Sequence, residues 1–354
     1  MLLDFVVNLK QPKKMLYKLL AVLLTSALFT GALIVPFINL LYWLRFRTPV
    51  YPSRDFLGRK TKFNELHSHK KGTPTGGGIL LILSAFLFLA LFYGFTQYRF
   101  NWTSNILFLT MFLFGLLGLY DDIQKFFGFT KKGVWGFRAR YKILLQAIFG
   151  AVVGWLLYSQ MGLHSVFIPF VQSQLILPAW IYISFAVLVI VASTNAFNIT
   201  DGLDGLSTGL LLIALVPFWV LTSSTSFGAD LSLFIAVIFG VMLPYLYFNI
   251  HPARLFMGDT GALALGAMLG VMALMSNQVV AWIFVGGVFV VEASSTLIQW
   301  GSFLFRHGKK VFLIAPLHHH FEALGWDETK VTMRFWLAGI LFALLGLFVA
   351  TFGR

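Results

Sequence analysis

Hydrophobic and polar positions do not alternate along this chain; they fall in blocks. Long apolar runs, such as Leu19 to Leu44, carry no charge at all. A membrane-crossing helix needs about 20 such residues. A membrane barrel would instead alternate with a period of two, so the blocks predict helices. Spans are expected at about 18–44, 77–95, 104–120, 142–161, 179–197, 205–222, 230–248, 261–276, 279–304 and 332–352. The pattern predicts an all-α integral membrane protein of about ten transmembrane helices. It forms one polytopic domain over 1–354, with no internal repeat, low-complexity segment or soluble domain.

Composition sharpens this picture. The chain is 58% hydrophobic and 11% charged, against about 25% charged in soluble domains, and its mean hydropathy is +0.84. A soluble enzyme and a disordered chain are both excluded. No cysteine is present, which removes disulfides, thiolate metal sites and cysteine nucleophiles. The start of the chain superficially resembles a signal peptide, but its apolar stretch is too long and has no clear cleavage site. It is therefore expected to be a retained first span.

Charge then orients the spans. Of the 26 basic residues, 20 fall in the odd-numbered loops, while the even loops hold only Arg99. By the positive-inside rule the odd loops are cytoplasmic and both termini extracytoplasmic, although Lys10, Lys13, Lys14 and Lys18 run against this. The net charge of +13 fits contact with anionic membrane lipids and a polyanionic substrate. Nucleic acid is not expected, because no soluble basic domain exists.

Polar residues that hydropathy does not explain cluster on that same face. Asp121 and Asp122 close span 3, where two acids at a helix end oppose the macrodipole and call for a cation. Asn195, Asn198, Asp201 and Asp204 end span 5, the last three spaced by three and neighbours if helical. Asn249 and Asp259 bracket the loop after span 7; Asp259 stands near a helix start, as an N-cap or at a phosphate site. Lys70-Lys-Gly-Thr-Pro-Thr-Gly-Gly-Gly78 places Thr73 as the cap of span 2 and Pro74 in its first turn, with glycines able to cradle an anion. His318, His319 and His320 lie in the loop after span 9. Three adjacent histidines cannot easily face one metal, so phosphate contact is the better expectation. Glu292 and Gln299, one heptad apart inside span 9, read as structural. Acids at one membrane edge, with only Glu292 central, argue against a cation-coupled transporter.

Together the Asp-Asp pair, Asn198-Ile-Thr-Asp-Gly-Leu-Asp-Gly205 and Phe256-Met-Gly-Asp-Thr-Gly261 resemble the polyprenyl-phosphate N-acetylhexosamine-1-phosphate transferase superfamily. Ala315-Pro-Leu-His-His-His-Phe-Glu322, Gly325-Trp326 and Arg334-Phe-Trp336 resemble its phospho-N-acetylmuramoyl-pentapeptide transferase family more specifically, and argue against a UDP-N-acetylglucosamine donor. Departures are Gly76 where the family usually has Met, Ala262 where Ser is common, and a segment 133–142 about two residues longer, so that Arg138, Arg140 or Lys142 could match the family's basic residue. The resemblance implies a ten-helix fold with a cytoplasmic active-site cleft, commonly a homodimer, in the bacterial inner membrane. It implies transfer from UDP-N-acetylmuramoyl-pentapeptide to undecaprenyl phosphate, giving lipid I and UMP, with Mg²⁺. Asp259 is then expected to bind the metal, and Asp121 and Asp122 to act on the lipid phosphate. Asn195, Asn198, Asp201 and Asp204 would bind the nucleotide-sugar side, Asn249 metal or nucleotide, and Lys70, Lys132, His318, His319 and His320 the phosphates and substrate.

Overall fold

The computed structural model of the chain describes residues 12–47, 70–96, 101–127, 138–222 and 227–352. Backbone polar groups in a bilayer must be satisfied within the chain, so the apolar blocks coil into helices. In order these are α1 (Pro12–Trp43), α2 (Gly77–Phe95), α3 (Trp102–Phe127), α4 (Ala139–Met161), α5 (Ala179–Thr200), α6 (Leu206–Thr222), α7 (Gly228–Asn249), α8 (Gly258–Met275), α9 (Val279–Val285), α10 (Gly287–Phe305), α11 (Leu317–Ala323) and α12 (Glu328–Thr351). Among the described residues nine helices are long and apolar enough to cross a membrane; α6, also apolar, is shorter.

Some details differ from the sequence expectation. The ninth span is broken: α9 and α10 meet at Gly286 instead of running through. The connection from α4 to α5 also holds a two-stranded antiparallel hairpin, β1 (Ser165–Ile168) and β2 (Ser173–Ile176), with Ser165 opposite Ile176. The Phe167 N–H donates to Asn277 Oδ1 at 3.0 Å, tying this hairpin to the turn before α9.

Helix α8 is the axis of the bundle. Every residue from Thr260 to Met275 is buried, and α8 packs on α3, α5 and α2. Small residues allow this closeness: a Cβ on Gly118 of α3 would lie 2.2 Å from the Asp259 carbonyl oxygen, and one on Gly78 of α2 would lie 2.1 Å from the Gly261 nitrogen. The glycines after Pro74 are therefore used for packing. Helix α2 begins at Gly77, later than Thr73 and Pro74 predict. The N–H groups of Gly76 and Gly77 donate to the Phe256 carbonyl at 3.1 and 2.8 Å and that of Gly78 to the Met257 carbonyl at 2.9 Å, so these three amides are spent on the backbone before α8.

Candidate active site

The acidic pair is not at a helix end. Helix α3 continues to Phe127, so Asp121 and Asp122 lie inside it, both 3% exposed. They face different partners. Asp122 accepts the backbone N–H groups of Asp259 and Thr260, each at 3.0 Å, and the Thr260 hydroxyl at 2.7 Å. It thus caps α8 from a neighbouring helix, answering donors that α8's own preceding residue, Met257, leaves open. Asp121 joins a charge cluster instead. Lys142 Nζ lies 2.9 Å from Asp121 Oδ2 and 2.6 Å from Asp259 Oδ2. Lys125 Nζ lies 3.2 and 3.0 Å from the same two atoms. Asn198 Nδ2 donates to the other Asp259 oxygen at 3.2 Å. Asp121 and Asp259 thus share two lysines.

A cleft opens beside this cluster. It is lined by Lys70, Asp122, Lys125, Asn198, Asp201, Gly202, Asp204, Asn249 and Asp259, among others. The Asp-Gly-Leu-Asp-Gly stretch is a turn between α5 and α6, so its acids do not share a helix face. Asp201 accepts the Ser207 hydroxyl; desolvation pushes its carboxyl up to about 6, with the Ser207 hydrogen bond opposing. Asp204 accepts the Ala253 N–H at 3.0 Å and pairs with Lys70 Nζ at 2.8 Å. Burial alone would raise the Asp204 carboxyl, but Lys70 holds it below the usual range. Burial works against the Lys70 charge, and Asp204 and Glu328 more than offset it, so its pKa is raised. Asn249 accepts the Thr208 hydroxyl at 2.8 Å and donates to the Leu255 carbonyl at 3.1 Å.

The three histidines point to three different partners. His318 Nδ1 pairs with Glu292 at 2.9 Å, and the Glu292 carboxylate also accepts the His318 N–H at 3.1 Å. The structural reading of Glu292 thus has a concrete form: it fixes the start of α11. The His318 ring backs onto the cleft wall, since a Cβ on Gly202 would lie 2.3 Å from His318 Nε2. His319 Nδ1 pairs with Glu322 at 2.6 Å. His320 turns away: its Nδ1 accepts the Leu313 N–H at 3.1 Å, and its ring meets Phe312 edge-on. Gln299 accepts the Val311 and Phe312 N–H groups at 3.0 and 2.9 Å, which shapes the loop before α11.

Of the residues expected from sequence, Lys70, Asp122, Asn198, Asp201, Asp204, Asn249 and Asp259 line one cleft, and Asp121 and His318 stand directly behind it. Asn195 does not: its amide donates to Gln146 Oε1 at 2.7 Å and to the Val191 carbonyl at 2.8 Å, which turns it toward α4. His320 is likewise held by its own loop. Lys132 lies outside the described residues. Of the three basic candidates in 133–142, Lys142 reaches the cluster, while the Arg140 guanidinium lies over Tyr141 at 4.8 Å. Sequence reasoning missed Lys125 and Glu328 as site residues. Lys125 had a signal, standing four residues after Asp121 on one helix; Glu328 had none.

The comparisons with known proteins agree in kind. The model of "Glycosyl transferase family 4" matches residues 104–277. A protein of Desulfotalea psychrophila named phospho-N-acetylmuramoyl-pentapeptide-transferase is 40% identical over 299 residues, covering 80% of each chain. One of the same name from Thermodesulfovibrio yellowstonii is 37% identical over 361 residues, covering 97% of this chain and 96% of its own. A third, from Francisella tularensis, is 38% identical over 352 residues, covering 93% and 92%.

Proposed function

The chain belongs to the phospho-N-acetylmuramoyl-pentapeptide-transferase family, and from that membership we propose its reaction and the role of each group in the cleft. The enzyme transfers phospho-N-acetylmuramoyl-pentapeptide from its UDP conjugate to undecaprenyl phosphate in the bacterial inner membrane, giving lipid I and UMP. The odd loops and the cleft face the cytoplasm, where the nucleotide sugar is. The carrying observation is the Asp121–Asp259 pair sharing Lys125 and Lys142 at the edge of a polar cleft. A cavity of about 210 Å³ is smaller than those that engulf a whole drug-sized ligand. It suits the diphosphate and part of the nucleoside, with the peptide stem left outside.

The nucleophile is an oxygen of the lipid phosphate. A phosphomonoester has its second pKa near ~6 and is mostly dianionic at neutral pH, so the obstacle is repulsion between two anions and not a missing base. Lys125 and Lys142 answer it, because each can pass from a carboxylate to an incoming phosphate oxygen. Asp121 holds those lysines and can take the last proton from the lipid phosphate. Asp122 acts at one remove, fixing Asp259 through the α8 amides. Asn198, Asp201, Asp204 and Asn249 line the donor side, Lys70 faces its phosphates, and His318 supports the Gly202 wall from behind. Asp259 and Asp121 offer hard carboxylate oxygens of the kind Mg²⁺ takes, and the Lys125 and Lys142 ammoniums that now pair with them would have to give way to it. Held by Asp259 with Asp121 near, that ion would neutralise charge developing on the leaving UMP.

Attack is direct and in line, the lipid oxygen bonding to phosphorus as UMP departs. Purified protein given both substrates and Mg²⁺ should release UMP and form a lipid-linked product. Asp259→Ala should express normally and not turn over; normal turnover would remove Asp259 from the reaction. Isolation of a phosphoryl-enzyme, with UMP released before lipid is added, would replace direct attack with a two-step route.

A further inference from the structure

We propose that Glu328 is a positioning residue for the nucleotide-sugar donor, setting Lys70 and the Asp204 turn in place from the last helix of the bundle. The proposal rests on the transferase reading above. One oxygen of Glu328 accepts both the Lys70 ammonium, at 2.5 Å, and the Asp204 backbone N–H, at 2.7 Å. Lys70 in turn reaches Asp204 Oδ1 at 2.8 Å. The three side chains are 7%, 8% and 2% exposed, so they meet out of water. A single carboxylate thus joins the segment before α2, the turn between α5 and α6, and the start of α12.

An acid in the first turn of a helix has an ordinary use, complementing the macrodipole. That use needs no partner and is served in solvent. Glu328 is instead buried and aimed at a lysine that lines the cleft. His251 completes the group, with Nδ1 at 3.1 Å from Asp204 Oδ2 and 3.7 Å from Glu328 Oε2. Asp204, His251 and Glu328 also present ligand atoms within 4.8 Å of one another, as a metal site would. The cation they already hold is the Lys70 ammonium, which a metal ion would have to displace. Lysine is a point charge on a flexible stem, so two fixed carboxylates are what keep Lys70 aimed. Without the Glu328 charge, Lys70 keeps one carboxylate among the described residues, Asp204, and the donor meets a cation that is no longer in place. Asp121, Asp259, Lys125 and Lys142 are untouched, so the loss falls on donor binding and not on the chemical step.

The test uses the full chain in detergent, with KM for each substrate and kcat measured for the wild type, Glu328→Gln and Glu328→Asp, alone and combined with Lys70→Ala. Glu328→Gln should raise the donor KM about tenfold, the size of a lost charge-assisted hydrogen bond, with kcat and the lipid KM nearly unchanged. Glu328→Asp should recover part of the affinity. With Lys70→Ala present, Glu328→Gln should add almost nothing, as expected of residues acting through one another. Should Lys70→Ala turn over too slowly, calorimetric binding of UDP replaces KM. An unchanged donor KM, effects that add in full, or a loss confined to kcat and melting temperature would each overturn the proposal. Wild-type protein that releases no UMP would overturn the transferase reading instead.

Discussion

At the scale of single residues, the cleft is built from charges that neutralise one another before any substrate arrives. Asp201 shows what this environment does to a group whose main partner is a hydroxyl. Its ordinary value is 3.8, and desolvation lifts it to about 6. The folded protein therefore holds that proton more tightly than the unfolded chain, and stability falls as pH rises from 3.8 to about 6. Asp201→Asn removes the titration. In melting curves across this window the wild type should lose ground to the variant and then run parallel to it at higher pH. Identical pH dependence in the two proteins would remove the assigned shift. Gly202 is a second residue-scale constraint. Its missing Cβ leaves room for the His318 ring, so Gly202→Ala should push that imidazole off Glu292 and lower turnover several-fold, read as specific activity of purified protein.

At the scale of elements, the crossing of α3 and α8 places the reactive groups. Gly118 brings α3 against the Asp259 backbone, which is why Asp122 can cap α8 and Asp121 can share lysines with Asp259. Gly118→Ala forces these helices apart. Overpacking of this kind costs about 1–3 kcal/mol, and here the displaced backbone belongs to Asp259 itself. Turnover should therefore fall further than the drop in melting temperature accounts for. Gly94→Ala on α2, where no described residue comes within 4 Å of an added Cβ, is the control and should behave as wild type. Equal behaviour of the two variants would show that the crossing tolerates the extra methyl.

At the scale of the whole molecule, the site is assembled from segments between Lys70 and Glu328, and every part of it meets at one end of the bundle. The orientation proposed above puts the lysine- and arginine-rich loops on the cytoplasmic side. The absence of cysteine makes this simple to test, because each introduced thiol is unique. Ser173→Cys in the hairpin should react with a membrane-impermeant maleimide on intact cells, and Lys309→Cys should react only after permeabilisation. The reverse pattern would invert the topology.

Much of this was legible in one dimension. Uncharged blocks of about 20 residues fix helices in a bilayer because no other backbone arrangement satisfies its polar groups there. Acids and amides at the ends of those blocks mark the site because a membrane tolerates them only where they work. The pairing of particular charges was not legible. Asp121 and Asp122 are adjacent letters, yet they lie on different sides of α3, one toward two lysines and one toward the α8 amides. The roles of Lys142 and Glu328 depend on which helices touch, and that is decided by where glycines let backbones approach. Sequence spacing describes neighbours along a helix; only the packed bundle decides which distant carboxylate a lysine finds.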